Sequence, residues 1–200
     1  MRETQQQSQR QSQPQSQRDT EFVEFVTAQR TALVRMARLL TAGDDAAAED
    51  LVQTTLTRLY VHWPRVRRAG NPVGYARTSL THAFVDERRR AYSRRETPTD
   101  QVADHHRDAT APEDDQDLAH TVLAALATLA PRQRAVVVLR HFLDLDIAET
   151  ARVLGCTTGT VKSQNAKALE RLRTTLEPAI TVTTTASSGS TGPSPSKELP

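Results

Sequence analysis

Cysteine, aromatic residues and long apolar runs are all scarce in this sequence of 200 residues. The single cysteine, Cys156, excludes a disulfide framework and every CxxC metal site. No run approaches the roughly 18 consecutive apolar residues that a membrane-spanning helix needs. The amino end, MRETQQQSQRQSQPQSQ, has no apolar segment of the kind that a secretory signal contains. We therefore expect a cytoplasmic protein that does not enter a membrane.

The low apolar content also limits the size of the hydrophobic core. Hydrophobic residues make up 37 % of the chain and aromatic residues 4 %, whereas about 45–50 % apolar residues is usual. One or two small helical cores fit this composition better than a single large one. The Gln/Ser/Arg-rich segment 1–18 and the Thr/Ser/Pro/Gly-rich segment 177–200 contain too little apolar surface to offset the entropy of ordering, so we predict disordered tails there.

Charge is strongly segregated along the chain, although the net charge is only +2. Residues 19–57 carry a net −4, residues 58–95 a net +8, residues 96–120 a net −7 and residues 121–176 a net +4. Two basic blocks separated by an acidic one suggest two surfaces that meet a polyanion, joined by a segment that avoids it. Helical proteins with one charged face give similar patterns, so charge alone leaves both interpretations open.

Residues 19–92 form the first block and predict a bundle of three helices. The first helix follows an apolar stripe that ends at Gly43, and the second is expected to end at Pro64. Asn71 caps the third helix, because the proline that follows it suits a first helical position. Trp63, the only tryptophan, is expected to anchor the core rather than to stack on a base.

Residues 93–117 are polar, acidic and interrupted by two prolines, so we predict a flexible linker. His105 and His106 lie in it without companion ligands at metal spacing, which argues against a zinc site. Residues 118–176 then predict four helices, the first of which has Leu118, Val122, Ala125, Leu126 and Leu129 on its inward side.

The last two helices of the second block have the proportions of a helix-turn-helix. Asp146 caps a short helix over Ile147–Leu154, Gly155 ends it, and a longer helix follows from about Gly159 to Leu176. The outward side of the longer helix is predicted to consist of Thr160, Ser163, Gln164, Lys167 and Arg171. Its inward side is predicted to consist of Val161, Asn165, Ala168, Leu169, Leu172 and Leu176.

The outward side of this helix has the chemistry that reading DNA requires. Hydroxyls and amides bond base edges and phosphates, cations bind phosphates, and the first acid, Glu170, comes only in the final turns. An ordinary amphipathic surface helix shares this outline, so spacing alone leaves that alternative open.

Longer stretches of the sequence carry a family resemblance. The stretches PRQRAVVVLR and LGCTTGTVKSQNAKALERLR lie within a run from Leu126 to Leu176. This run resembles the carboxy-terminal domain of bacterial sigma factors of the extracytoplasmic-function (ECF) group in the sigma-70 superfamily. In the first block, LTAGDDAAAEDLVQTTLTRLY is similar to the polymerase-binding helix of these factors, and NPVGYARTSLTHAFVDERRR to their promoter-melting and downstream-element helix. The overall likeness is greatest to the actinobacterial SigE-like subfamily.

The resemblance implies an all-α protein with two small helical domains, sigma region 2 at 19–92 and sigma region 4 at 118–176. It further implies a dissociable subunit that binds core RNA polymerase at the β′ clamp helices and the β flap and directs promoter-specific transcription initiation. Region 2 would melt and read the minus-ten element, and region 4 would read the minus-thirty-five element. Promoter DNA is the second expected partner, and an anti-sigma factor is a third that the resemblance suggests.

The same resemblance assigns site residues. The residues implied for polymerase binding are Glu49, Asp50, Leu51, Gln53 and Thr54. Those implied for DNA binding by region 2 are Arg65, Arg67, Arg68, Asn71, Arg77, Thr81, His82 and Arg88. Those implied for DNA binding by region 4 are Thr157, Thr158, Thr160, Lys162, Ser163, Gln164, Lys167 and Arg171. The sequence departs from the family at His82, where asparagine is common, and at Thr150, where an apolar residue is usual.

Two other functions compete with transcription initiation. A stand-alone helix-turn-helix regulator would need its first block to be a sensor or a dimerisation module. A nucleic-acid-processing enzyme would need a catalytic motif, and the sequence has no HExxH, no glycine-rich phosphate loop and no carboxylate pair beside a basic groove. We therefore expect no catalytic residues, no cofactor and no metal.

Overall fold

Seven α-helices and one short π-helix make up the computed structural model, which describes residues 2–94 and 113–187 and side chains within 17–90 and 118–177. The helices are α1 (Arg2–Thr41), α2 (Asp45–Arg68), α3 (Pro72–Arg94), α4 (Glu113–Ala127), α5 (Pro131–Val137), the π-helix (Val138–Phe142), α6 (Ile147–Leu154) and α7 (Thr158–Ser187). No strand occurs within the described ranges, so the all-α prediction is confirmed. His105 and His106, for which the sequence argued against a zinc site, lie outside the described residues.

Helices α1, α2 and α3 pack into the predicted three-helix bundle. Leu40, Leu59, Leu80 and Phe84 are at most 1 % exposed and belong to one apolar cluster. Each comes from the apolar stripe of its helix, because residues three and four apart share a face. We call this bundle domain 2.

The amino end of α1 differs from the sequence prediction. The helix begins at Arg2, so most of the predicted tail 1–18 continues the helix. Gln, Arg and Glu are good helix formers, and extending a nucleated helix requires only one further bond per residue. Asp19 therefore lies inside α1, where its Oδ1 accepts a hydrogen bond of 2.7 Å from the Tyr60 hydroxyl.

Helix α2 continues through Pro64 to Arg68, whereas the sequence predicts that it ends at the proline. A proline lacks the N–H that would bond the carbonyl four residues earlier, here that of Tyr60. In this protein the Arg18 guanidinium donates to the Tyr60 carbonyl instead and also lies 4.6 Å from the centre of the Tyr60 ring. The contact supplies the missing donor, which explains how the helix accommodates the proline.

An aromatic cluster joins α1 to the second half of α2. The ring of Trp63, which is 4 % exposed, lies 5.2 Å from that of Phe22 and 4.9 Å from that of Phe25. The predicted role of Trp63 as a core anchor is confirmed. Phe22 also makes an edge contact with Tyr60 at 5.1 Å.

Helices α4 to α7, with the π-helix between α5 and α6, form a second group that we call domain 4. Val136, Ala151 and Val161 make an apolar cluster from α5, α6 and α7. The first helix of the group departs from its predicted pattern, because Leu118 is 64 % and Val122 37 % exposed. Both ends of the group also extend beyond prediction, since α4 begins within the predicted linker and α7 reaches residue 187.

The two domains are docked against each other, whereas the sequence predicts independent bundles on a flexible linker. Ala135, Val138 and Leu139 of domain 4 belong to the same apolar cluster as the core of domain 2. Conversely, Ala42 in the turn after α1 lies in a cluster with Leu126, Leu129, Val137 and Ala168 of domain 4. Short apolar stretches from both domains therefore complete each other's cores.

One residue implied for polymerase binding, Leu51, lies in the core of domain 2. The resemblance implies that Leu51 contacts polymerase, but its side chain is 2 % exposed and belongs to the domain 2 core. Its helical neighbour Gln53 is exposed. The expectation that the Leu51 side chain faces a partner is therefore wrong for this arrangement.

We predict that Leu51→Ala lowers the free energy of unfolding by about 2–5 kcal/mol, because the change removes buried methyl groups and leaves a cavity. The matched control Gln53→Ala should change it by less than about 0.5 kcal/mol, since exposed positions tolerate substitution. Urea denaturation followed by circular dichroism measures both values. Equal stabilities for the two variants would contradict the placement of Leu51 in the core.

Candidate nucleic-acid interface

Helices α6 and α7 form the predicted helix-turn-helix, and local hydrogen bonds fix its geometry. Asp146 accepts the Glu149 N–H at 2.7 Å, while the Glu149 carboxylate accepts the Asp146 N–H at 3.2 Å, which makes a capping box. Gly155 ends α6 in the left-handed conformation with φ of 60°, which glycine adopts without strain. The Thr157 hydroxyl then accepts the Thr160 N–H at 3.1 Å, as in a helix N-cap.

The buried polar position in α6 is also satisfied. Thr150 is fully buried, and its hydroxyl donates to the Asp146 carbonyl at 2.7 Å. Ile147, one turn earlier, packs against the apolar cluster of domain 4. The threonine therefore fits an inward position because its polar atom has a partner within its own helix.

Helix α7 has an inward and an outward side, as predicted. Val161 and Ala168 are fully buried, and Asn165 Oδ1 lies 3.0 Å from Nε2 of His141. Leu169 is 42 % exposed, so its predicted inward placement is wrong. Among the predicted DNA-binding residues, Thr157, Thr158, Lys162, Ser163, Lys167 and Arg171 are exposed, and Thr160 and Gln164 are half-buried.

The exposed side of α7 changes character along the helix. Hydroxyl and amide groups and the cation Lys162 occupy its first two turns, where the helix dipole also favours an anion. The cations Lys167 and Arg171 follow on the same side one and two turns later. This order suits a helix that enters the major groove by its amino end, because base edges are then met first and phosphates at the flank.

A second basic surface lies where α2 ends and α3 begins. Arg65, Arg67, Arg68 and Asn71 are exposed there. The Asn71 Oδ1 accepts the Gly74 N–H at 2.8 Å, so this predicted DNA-binding residue is also the N-cap of α3. A cleft of about 380 Å³ opens beside this turn and is lined by His62, Arg65, Val66, Ala69 and Tyr75.

Three predicted DNA-binding residues of α3 have partners within the protein. Thr81 is fully buried, and its hydroxyl donates to the Arg77 carbonyl at 2.9 Å, so its side chain is closed to solvent in this arrangement. His82 Nε2 donates to the Val153 carbonyl of α6 at 2.6 Å. The Arg88 guanidinium lies 5.7 Å from the centre of the Phe84 ring. The expectation that Thr81 meets DNA directly does not hold for the docked form.

The predicted polymerase-binding face of α2 is acidic and mostly open. Asp50, Gln53 and Thr54 are exposed, and they line a cleft of about 590 Å³ between α2 and α3. Glu49 is half-buried and pairs with Arg30 of α1. The same cleft contains Arg58 and Arg90 besides Asp50 and Glu87, so it presents both charge signs to a partner.

Sequence reasoning missed Arg134, which lies in the contact between the domains. Arg134 is 8 % exposed, and its guanidinium donates to the carbonyls of Leu40 at 3.0 Å and Leu129 at 3.2 Å. Burial, and secondarily the positive charge of Arg88, lowers the pKa of Arg134 to about 10. The signal available in the sequence was an arginine at an inward position of the apolar stretch PRQRAVVVLR.

Within residues 2–94 and 113–187, no group of three or more His, Cys, Asp or Glu side chains could hold a metal ion. No helix in these described ranges is long and apolar enough to cross a membrane.

Comparison with known proteins identifies the two domains. The family described as "Sigma-70 region 2" matches residues 25–94, and "Sigma-70, region 4" matches residues 119–172. The "RNA polymerase sigma-E factor" of Streptomyces avermitilis is 40 % identical over 158 residues, which cover 78 % of this chain and 86 % of that protein. The "ECF RNA polymerase sigma factor SigL" of Mycobacterium tuberculosis is 34 % identical over 147 residues, or 72 % and 82 % of the two chains.

A solved structure has the same fold. It is the co-crystal structure of the sigma factor RpoE with the anti-sigma factor NepR from Bartonella quintana, and its sigma chain is 25 % identical to this one. The TM-score is 0.61, and the match covers 78 % of this chain and 97 % of that one.

The fold and the site together define a two-domain transcription initiation factor, which excludes a stand-alone regulator. The chain belongs to the sigma-70 family and resembles the sigma-E-like members of its ECF group. It is an RNA polymerase sigma factor that directs transcription initiation at promoters.

We predict that two substitutions on α7 have effects of different kinds. Gln164→Ala should reduce the binding free energy by about 1–3 kcal/mol at one base pair of the promoter, because an amide can make a bidentate contact with adenine. Selection for a particular base at that position should then relax. Arg171→Ala should weaken binding to all promoters by a similar factor. It should also reduce the salt dependence of DNA binding by the equivalent of about one phosphate contact. Transcription by the polymerase complex from templates with a randomised upstream element measures both.

The matched control is Arg173→Ala, which removes an exposed arginine of α7 that lies off the outward side. This change should leave both base selection and salt dependence close to those of the unaltered protein. If Arg171→Ala altered the selected sequence while Gln164→Ala did not, α7 would be oriented differently in the groove.

Proposed function

We propose that the two domains of this sigma factor divide the promoter between them. Domain 4 reads the minus-thirty-five element with the outward side of α7, and domain 2 binds and opens the minus-ten element with α3 and the turn before it. The observation that carries this assignment is the outward side of α7, where Thr160, Ser163 and Gln164 precede the cations Lys167 and Arg171 within a capped helix-turn-helix.

The residues proposed for each DNA surface are those that the structure leaves accessible. For domain 2, Arg65, Arg67 and Arg68 would meet phosphates of the minus-ten region, since exposed guanidinium groups bind phosphate well. Tyr75 is 44 % exposed beside the cleft of about 380 Å³, where an aromatic face could stack on an unpaired base.

The proposed polymerase contact is the exposed face of α2. Asp50, Gln53 and Thr54 would dock on the β′ clamp helices, and domain 4 would contact the β flap. The cleft beside this face contains Asp50 and Glu87 as well as Arg58 and Arg90, so a partner with the complementary charge pattern would bind in one orientation. We further propose that the protein acts in the cytoplasm, has no catalytic activity of its own, and is open to control by an anti-sigma factor.

We predict that Asp50→Arg reduces the affinity for core polymerase about tenfold or more, because it reverses a charge at the centre of the proposed face. The matched control Glu24→Arg makes the same charge change at an exposed position of α1, away from this face, and should leave the affinity nearly unchanged. Biolayer interferometry with immobilised core polymerase gives the affinities, and a circular-dichroism melt checks the fold.

The assignment of this face fails if Asp50→Arg folds normally and binds polymerase as tightly as Glu24→Arg does. The wider function is tested by transcription in vitro from a library of genomic fragments. Addition of this protein to core polymerase should produce start sites that are absent without it.

A further inference from the structure

Residues near the start of α1 hold the last two turns of α2 in place. Arg18 donates to the Tyr60 carbonyl, and Asp19 accepts a hydrogen bond of 2.7 Å from the Tyr60 hydroxyl. Glu21 pairs with Arg67 one to two turns further along α2. These contacts come from neighbouring positions of α1 and converge on one segment of α2. They therefore join α1 to the segment that leads into the proposed minus-ten surface.

This segment of α2 contains Pro64, which weakens a helix. The proline nitrogen has no hydrogen atom, so the Tyr60 carbonyl loses the donor that a helix normally supplies four residues later. An unpaired, partly buried carbonyl is costly, and proline also disfavours the helical conformation of the residue before it. The local sequence therefore favours an end to the helix here, and the Arg18 guanidinium offsets that tendency by donating to the Tyr60 carbonyl.

The helical turn after Pro64 fixes the directions of three arginines. Val66 is 1 % exposed and faces the core, whereas Arg65, Arg67 and Arg68 are exposed. The Arg68 Nε donates to the Pro64 carbonyl at 2.9 Å, a contact that depends on the helical spacing of residues four apart. If α2 ended at the proline, the three guanidinium groups would lie on an irregular segment without a fixed direction.

We propose that Arg18 is a positioning residue for promoter opening. It supplies the donor that Pro64 removes, keeps the last turn of α2 helical, and thereby orients the arginines of that turn toward phosphates of the minus-ten region. This inference rests on the proposed function of that surface. Arg18 itself is half-buried against Tyr60, so it acts through α2 and not on DNA. Its loss should affect opening, which needs the arginines in register, and not the polymerase contact in the first half of α2.

The test compares Arg18→Met with a matched control in the full-length protein bound to core polymerase. Methionine keeps an unbranched side chain but has no hydrogen-bond donor. The control Arg35→Met makes the same change at an exposed position of α1, roughly 25 Å further along the helix. The template is a promoter taken from the genomic-fragment library, with 2-aminopurine in the minus-ten region, whose fluorescence rises as the strands separate.

Arg18→Met should slow strand opening by about fivefold or more, because a charged donor to a partly buried carbonyl is lost. Its affinity for core polymerase should stay within about twofold of the parent, since the polymerase contact lies elsewhere on α2. Arg18→Lys keeps a donor and should restore part of the opening rate. The proposal is overturned if Arg18→Met opens DNA as fast as Arg35→Met, or if it loses polymerase affinity and opening rate to the same extent.

Replacing the proline gives a sharper test. In a Pro64→Ala background the backbone regains the N–H that bonds the Tyr60 carbonyl, so Arg18 is no longer needed. Adding Arg18→Met to that background should change the opening rate by less than about twofold. An equal loss in both backgrounds would show that Arg18 acts by another route, which contradicts the proposal. If Arg18→Met alone does not fold, Pro64→Ala should restore folding, and a lack of rescue has the same meaning.

Hydrogen exchange reports on the segment directly. Arg18→Met should speed exchange of the backbone amides of residues 65–69, while those in the first half of α2 keep the rates of the parent. Unchanged exchange at residues 65–69 would refute the role of Arg18.

A double variant, Arg65→Ala with Arg68→Ala, separates this proposal from the proposed function. If the double variant opens promoters as fast as the parent, the assignment of the minus-ten surface fails as well. If it slows opening while Arg18→Met does not, only the positioning role of Arg18 is lost.

Discussion

The arrangement of the domains depends on one buried cation, the guanidinium of Arg134. It donates to the carbonyls of Leu40, Ala127 and Leu129, which lie at the carboxyl ends of α1 and α4 or in the turn that follows. Carbonyls at a helix end have no intrahelical donor, and the helix dipole is negative there. Burial lowers the pKa of Arg134 to about 10, which leaves it protonated at neutral pH. A buried charge of this kind persists only where such acceptors converge.

The docking solves a problem that small domains share. A small bundle of three helices buries a limited apolar area, so its folding free energy is small. In this protein Ala135, Val138 and Leu139 of one domain extend the core of the other. The same contact that adds buried surface closes one side of α3. The stability of each domain therefore depends in part on the other.

Much of the fold could be predicted from the sequence, because local signals there agree with tertiary packing. The capped α6, its left-handed Gly155 and the two sides of α7 follow from residue types and from the helical period. The inward placement of Leu169 was wrong because a helix that packs on one side leaves the margins of its apolar stripe exposed. Pro64 was mistaken for a helix end because its replacement donor, Arg18, is distant in sequence.

The docking of the domains and the role of Arg134 could not be predicted in the same way. Both depend on contacts between residues far apart in the chain, such as Arg134 with Leu40 and His82 with Val153. Helical periodicity shows which side of a helix is apolar but not which other element covers it. The DNA and polymerase residues remain predictions for the same reason, since their partners lie outside the chain.

The helix-turn-helix keeps its shape through residues that are not among the proposed DNA contacts. Asp146, Glu149 and Gly155 set the turn, and Val161 and Ala168 fix how α7 lies on the domain. Gln164 and Lys167 project from the other side and contribute little to that geometry. Promoter preference can therefore diverge between duplicated copies of such a gene by exchange of a few outward side chains, while the scaffold is inherited unchanged.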